Sequence, residues 1–357
     1  MIRSMKILGY RCFEDFKLEE VGRINLVTGK NNSGKSTLLE ALHLTINLAD
    51  PFSLWRLLAR RGEITEEILE RRDYNVDINH LFCNHSYKNN HICFQADLDN
   101  IPIKLNVSVV KKDDIERDVK SNSFVGPYYL NVKDDYNNID EYYPIYYNGG
   151  MSSSYAERMG SSSEYAVIKS YYLMSTSLLG SEISNNWRRI TLKPEKIIAL
   201  DALRIVNSDV VDFTVARDSK LVDSIGKEGI LIKLRDMDSP IPLGSLGEGS
   251  WRLLGIGMAL ALVKNGIILI DDLDVGLHHS AMYDLWRLVD ITSRKYNIQV
   301  FATTHSRDCI NALGRYLQDN PNTGDVLIHR VEKDQNTPIV YSRNNIISAT
   351  QHEIEVR

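Results

Sequence analysis

Few cysteines, no long apolar run and no surplus of positive charge set the outer limits on this 357-residue chain. Cys12, Cys83, Cys93 and Cys309 are scattered and include no Cys-x-x-Cys, so reduced thiols are expected in place of a disulfide framework. No stretch approaches the roughly 20 consecutive apolar residues that cross a bilayer, and no membrane contact is expected. The start, Met1-Ile2-Arg3-Ser4-Met5-Lys6, alternates like a strand and lacks the apolar centre of a secretory signal. A cytoplasmic location is the expectation. The net charge of −5 provides no general pull toward nucleic acid, and DNA would need a local basic groove. Heptad arms, a Ser/His/Asp triad and a nuclease carboxylate cluster are also absent from the pattern.

What remains is ordinary for a globular protein: 43% hydrophobic and 25% charged residues. The length suits one large α/β domain with an insertion, or two domains. Within it, Gly29-Lys30-Asn31-Asn32-Ser33-Gly34-Lys35-Ser36 is a full Gly-x-x-x-x-Gly-Lys-Ser phosphate loop. Residues 24–28 before it read as a buried strand, and residues 37–48 after it as a helix with Leu38, Leu39, Leu42 and Ile46 on its apolar side. Gly29 and Gly34 let the backbone curl so that successive N–H groups and the helix N-terminus point at phosphates. Lys35 reaches the β- and γ-phosphates, and the Ser36 hydroxyl is placed for Mg2+. Gly29, Asn31, Asn32, Ser33, Gly34, Lys35, Ser36 and Thr37 are the candidate ATP-binding residues of this segment.

After the loop comes an Arg-rich stretch that reads as an ion-paired helix, with Arg56, Arg60, Arg61, Arg71 and Arg72 among Glu66, Glu67 and Glu70. Residues 91–98 and 101–110 alternate around Asp99-Asn100 and predict a hairpin of an antiparallel sheet. From about residue 111 to 184 the composition shifts to Asp, Asn, Ser and Tyr, and eleven of the 18 tyrosines fall between Tyr128 and Tyr172. This segment reads as an insertion of loops and short helices. It is either a partner or dimer surface, for which Tyr is well suited, or a locally packed excursion. A helix is expected over 194–203 and strands over 210–215 and 230–234, before helices and strands alternate as in a parallel sheet.

Three later segments belong with the phosphate loop. Residues 266–272 form an apolar strand that ends in Asp271-Asp272, the position of a Walker B acid that holds Mg2+. Residues 298–305 form another, ending in Thr303-Thr304-His305. Ser245-Leu246-Gly247-Glu248-Gly249 opens a long helix over 250–263 and presents N–H groups at its start. By contrast, His80, Cys83, His85, His91 and Cys93 match no standard zinc spacing, and no zinc site is assigned to them.

Taken together, these motifs resemble the ABC-type ATPase heads of SMC/RecF-like repair proteins and of OLD (overcoming lysogenisation defect) ATPases. Ser245-x-Gly247-Glu248 is similar to their signature element. Asp271-Asp272-Leu273-Asp274-Val275-Gly276-Leu277-His278 resembles the OLD-type acid stretch, and His305 in Thr-Thr-His-Ser resembles the switch histidine. Tyr10-Arg11-Cys12-Phe13 and the final Glu353-Ile354-Glu355-Val356-Arg357 also resemble small stand-alone members. The resemblance covers 1–110 and 185–357, which would form a discontinuous ATPase domain around the 111–184 insertion. It implies an α/β P-loop NTPase fold, an ABC-type head with an antiparallel β-subdomain and a helical or loop insertion.

The resemblance also implies a mechanism. Two subunits stack head to tail with ATP between them, and Ser245, Gly247 and Glu248 of one act on the nucleotide held by the other. Asp271 and Ser36 hold Mg2+, Asp272 polarises the attacking water, and His305 and Lys35 steady the phosphate being transferred. The family carries Glu where this chain has Asp272. The shorter side chain withdraws the carboxylate by about one ångström, a displacement that lowers a rate on the order of 100-fold. Slow hydrolysis and a long-lived ATP-bound homodimer are therefore expected. The stretch after His305 is too short for the Toprim nuclease of full OLD proteins, so a nuclease or toxin effector is expected as a separate chain, in prokaryotic anti-phage defence. The alternatives are a RecF/SMC-like DNA-repair ATPase and a module whose ATP is purely structural.

Overall fold

The computed structural model describes residues 1–356 apart from 69–72, 89, 116–126, 135, 137, 147–148, 160–165, 176–179 and 216–228. The chain falls into two units, Met1–Val21 with Asn31–Ile168 and Glu332–Pro338, and Gly22–Lys30 with Lys169–Val331 and Ile339–Arg357.

The first unit is built on a six-stranded antiparallel sheet. Its β1 (Ile2–Tyr10) and β2 (Phe13–Leu18) bury Ile2, Met5, Ile7, Tyr10, Phe13, Phe16 and Leu18. A register shift between Ile2 and Ser4 explains why burial skips from Ile2 to Met5 against the period of two. The hairpin expected next is present as β6 (Ile92–Leu98) and β7 (Ile101–Lys111). Asp99 and Asn100 turn it at φ 51° and 69°, the left-handed pair that a two-residue turn needs. Two further strands, β8 (Tyr128–Asp134) and β9 (Ile139–Ile145), complete the order β2-β1-β6-β7-β8-β9. Here the structure corrects part of the reading of loops and short helices, which holds for a seven-residue helix at Ser153–Met159 but not for these strands. Tyr129, Leu130, Val132, Tyr143 and Ile145 are buried strand residues, since tyrosine is itself a good strand former.

A second correction falls on the Arg-rich stretch. Arg56 and Arg60 do lie on a helix, Pro51–Arg60, but beyond it β4 (Ile64–Ile68), β5 (Asp73–Asp77) and β10 (Gly150–Ser152) form a three-stranded sheet where the ion-paired helix was expected to continue. Glu70, Arg71 and Arg72 lie outside the described residues. The helices of this unit are α1 (Lys35–Ile46), α2 (Pro51–Arg60) and α3 (Ser153–Met159). α2 starts with Pro51 at its first position and Asp50 accepting from the N–H groups of Phe52 and Ser53. A buried ion network fastens α1 to the turn after β1. Arg11, at φ 51°, reaches Glu40 of α1 at 2.9 Å and Glu63 at 2.6 Å, and Arg61 reaches Glu40 at 2.5 Å.

The second unit carries the mainly parallel sheet. From one edge it runs β11 (Ser170–Leu173), β15 (Gly266–Ile270), β16 (Ile298–Thr303), β3 (Ile24–Thr28), β17 (Val326–Arg330) and an antiparallel β18 (Ile339–Tyr341). β3, β15 and β16 are buried at every position, so their sequences are mostly apolar with no alternation, and the polar Asn25 and Gln299 within them are buried too. The helices are α4 (Gly180–Ile190), α5 (Lys196–Arg204), α6 (Glu248–Leu262), α7 (Met282–Lys295), α8 (Arg307–Asp319) and α9 (Arg343–Gln351). A small antiparallel sheet of β12 (Val210–Val215), β13 (Ile230–Leu234) and β14 (Ile241–Pro242) completes this unit. α6 is buried along almost its whole length, as a helix apolar on all sides must be. Its Gly257 lets it press against α5, because a Cβ there would lie 2.7 Å from the Ala202 Cβ.

Candidate functional site

β15, β16 and β3 are parallel neighbours in register, with Ile270 beside Ala302 and Thr303 beside Val27. Their C-terminal ends share one edge, the place where open parallel sheets bind ligands. β15 delivers Asp271 and Asp272 there, and β16 delivers Thr303, Thr304 and His305. β3 delivers Gly29 and Lys30, from which the chain runs directly into the rest of the phosphate loop.

The acids are held mainly through their backbone. Thr303 Oγ1 donates to Asp271 Oδ1 at 2.7 Å and accepts from the Asp272 N–H at 2.7 Å. Asp272 takes a left-handed conformation, φ 53°, and its Oδ1 lies 3.9 Å from His305 Nε2. Burial, then the charge of Asp271, raises the Asp272 pKa above the ordinary aspartate value, against a lowering pull from His305. Thr304 Oγ1 donates to Asp274 Oδ1 at 2.5 Å and accepts from Ser306 N at 3.0 Å. The structure thus brings Asp271, Asp272 and His305 to one edge of one sheet.

In the loop, Gly29, Asn32 and Gly34 have φ of 139°, 61° and 104°. Gly34 is doubly restricted, since a Cβ would meet the Phe13 ring at 2.7 Å and Cys12 Sγ at 3.0 Å. No side chain caps the start of α1, whose first turn carries Lys35, Ser36 and Thr37. Asn31 and Asn32 are exposed, whereas Lys35 and Ser33 are buried, and Ser33 Oγ has no hydrogen-bond partner. A buried hydroxyl with no acceptor, beside an uncapped helix start, fits a phosphate group. The hydroxyl of Ser36 in the first unit and the carboxylate of Asp271 in the second are each a hard oxygen donor of the kind that suits Mg2+. Among the described residues no three His, Cys, Asp or Glu side chains form a metal-binding group. Mg2+ needs no such cage, because it keeps water and takes substrate phosphates as ligands. His80 and His85 bring their Nδ1 atoms to 3.0 Å in the first unit.

Ser245, Gly247 and Glu248 are exposed at the start of α6, with Gly247 at φ 90° and open space around its Cβ position. Ser250 Oγ donates to the carbonyl of Gly247 at 2.6 Å and holds that turn. Sequence reasoning missed Thr303 and Thr304 as acid partners, and it missed Arg252. From α6, Arg252 Nη2 donates to the carbonyls of Asp271 and Asp272, and Nη1 donates to the carbonyl of Met174 at 2.9 Å. The available signal was a lone cation in an apolar helix.

Comparison with known proteins bears on the family, the fold and the activity. A family model described as AAA domain, putative AbiEii toxin, Type IV TA system matches residues 111–308, and one described as AAA ATPase domain matches residues 1–171. The chain is 22% identical over 337 residues to an ATP/GTP phosphatase of Helicobacter pylori, covering 89% of each. Over 60 residues it is 42% identical to an uncharacterised protein of Methanocaldococcus jannaschii, 17% of this chain and 27% of that one. In fold it is similar to an SMC head crystallised with the C-terminal winged-helix domain of ScpA, with a TM-score of 0.53, 12% identity, and coverage of 96% and 97%. Among the described residues no helix is long and apolar enough to cross a membrane. The chain belongs to the family described as AAA domain, putative AbiEii toxin, Type IV TA system, and it is a phosphate-loop ATPase.

Proposed function

We propose that this ATPase is a nucleotide-gated switch in which two copies close on ATP and part after hydrolysis. The observation that carries the reading is the exposed Ser245–Glu248 turn, at the start of a helix that is otherwise buried. Such a turn offers N–H groups and a hydroxyl to an anion presented from outside its own chain. Lys35 and the loop N–H groups hold the phosphates, and Ser36 and Asp271 are the residues that would hold Mg2+, which would neutralise phosphate charge. Asp272 accepts a hydrogen bond from the attacking water, and His305 donates to a γ-phosphate oxygen. Placement of charge in this way is most of what phosphoryl transfer requires. By resemblance to OLD-like heads, the closed dimer controls a separate nuclease or toxin in anti-phage defence. The alternative of a DNA-repair ATPase needs a basic face, which a net charge of −5 does not favour.

The test is the mass of the Asp272→Asn protein by light scattering, with and without ATP and Mg2+. The mass is expected to double with nucleotide, because the variant binds ATP and turns it over too slowly for the two copies to part during the measurement. A mass that stays monomeric with ATP bound would overturn the switch.

A further inference from the structure

Between Ser250 and Leu262, α6 carries one charged residue, Arg252, which is 9% exposed. Burying a guanidinium is costly, and replacing such a charge with a well-packed apolar side chain is often neutral or stabilising. Arg252 forms no hydrogen bond to a carboxylate among those described. Its bonds go to main-chain carbonyls of two segments: Met174, just beyond β11, and Asp271 and Asp272, just beyond β15. Its Nε is buried with no partner, so the side chain is not placed for full satisfaction of its own donors. Burial lowers its pKa to about 10, against the pull of the nearby aspartates, so the cation persists at neutral pH.

The same helix meets the acid segment a second time. A Cβ on Gly249 would lie 2.7 Å from the carbonyl oxygen of Gly276. One turn of α6 therefore spans from the exposed signature residues to the main chain that aims the acids. Asp272 is left-handed at the point where Arg252 grips its carbonyl. Aspartate tolerates that conformation better than most residues, and here its main chain is held on both sides, by Thr303 at the N–H and by Arg252 at the carbonyl.

We propose that Arg252 is a positioning residue for ATP hydrolysis, which fixes the Asp271-Asp272 main chain and links its placement to the signature turn at the head of α6. The proposal rests on the reading of Asp272 as the acid that orients water. The planar fork of arginine reaches all three carbonyls at once, and the single ammonium of lysine does not.

The experiment is a cycle of Arg252→Lys, Asp272→Asn and the double variant in the full chain. It measures single-turnover ATP cleavage, affinity for a fluorescent non-hydrolysable ATP analogue, and melting temperature. Arg252→Lys is expected to melt cooperatively and bind the analogue within about 3-fold of the parent, with cleavage slowed on the order of 100-fold. On the Asp272→Asn background the lysine change is expected to slow cleavage no further, because both residues serve one step. Cleavage within about 3-fold of the parent overturns the proposal, as do additive losses in the cycle or a fall in affinity equal to the fall in rate. Arg252→Gln is put through the same cycle if the lysine variant does not melt cooperatively. Should Asp272→Asn cleave as fast as the parent, the reading of Asp272 fails separately, whatever Arg252 does.

Discussion

Asp272 has its main chain fixed by Thr303 on one side and Arg252 on the other, so the length of its side chain sets where its carboxylate lies. The ATPase heads that the chain resembles carry glutamate there. Asp272→Glu extends the carboxylate by about one ångström and is expected to raise kcat ten-fold or more, read as steady-state phosphate release. An unchanged or lower kcat would mean that the aspartate already reaches the water. Asp272 and its neighbours were legible in the sequence because their signal is local: an apolar run ending in two acids, another ending in a histidine, two glycines at fixed spacing. Thr303 and Arg252 were not, because their roles exist only across space. Thr303 bonds the acids across 31 and 32 residues of chain, and Arg252 bonds them across 19 and 20 and Met174 across 78.

Among elements, those buried on both faces were the easiest to read. β15 is an uninterrupted apolar run and β3 and β16 are mostly apolar, broken by Asn25 and Gln299, and the helices between them are long enough to show their period. β8 and β9 were concealed because tyrosine, asparagine and aspartate fill their half-buried positions, and β4 because its charges mimic helical spacing. The parallel sheet also holds a titratable group with a readable consequence. His329 of β17 is fully buried, and its Nε2 lies 3.0 Å from Asn25 Oδ1. Asn25 Oδ1 is an acceptor, so Nε2 carries the proton, and the buried Nδ1 has no partner. Burial lowers the pKa of His329 to about 4 from 6.5. The unfolded chain therefore takes up a proton below pH 6.5 that the folded chain refuses, and stability falls as pH drops toward 4. Between pH 7 and 5 this group alone accounts for a loss of about 2 kcal/mol. His329→Gln keeps a donor for Asn25 without titrating, so its loss over that interval is expected to be smaller by about that amount. The readout is urea unfolding followed by tryptophan fluorescence, because Trp187, Trp251 and Trp286 all belong to or pack on this core. Equal losses in the two proteins would show that His329 is protonated in the fold.

At the scale of the whole molecule the question is whether one chain contains a complete site. Ser245, Gly247 and Glu248 face solvent, and in the proposed switch they serve the nucleotide of a second copy. Mixing two crippled variants separates that arrangement from a self-contained one. Lys35→Ala removes the phosphate contact of its own loop, and Ser245→Arg blocks its own signature turn with a bulky cation. Each variant alone is expected to be inactive. Random pairing of equal amounts makes about half of the dimers mixed, if the closed dimer has two-fold symmetry. In a mixed dimer one site combines both lesions, while the other joins an intact phosphate loop to an intact signature turn. The mixture is therefore expected to recover about a quarter of the parent rate, provided that the two sites fire independently. Sites completed within a single chain would recover nothing, because every chain in the mixture carries a lesion. Cooperation between sites would also show itself: recovery would fall well below a quarter, and an equal mixture of Ser245→Arg with parent chains would keep about a quarter of the parent rate where independent sites keep about half. The outcome decides whether ATP serves here as an ordinary substrate or as the bond between two copies.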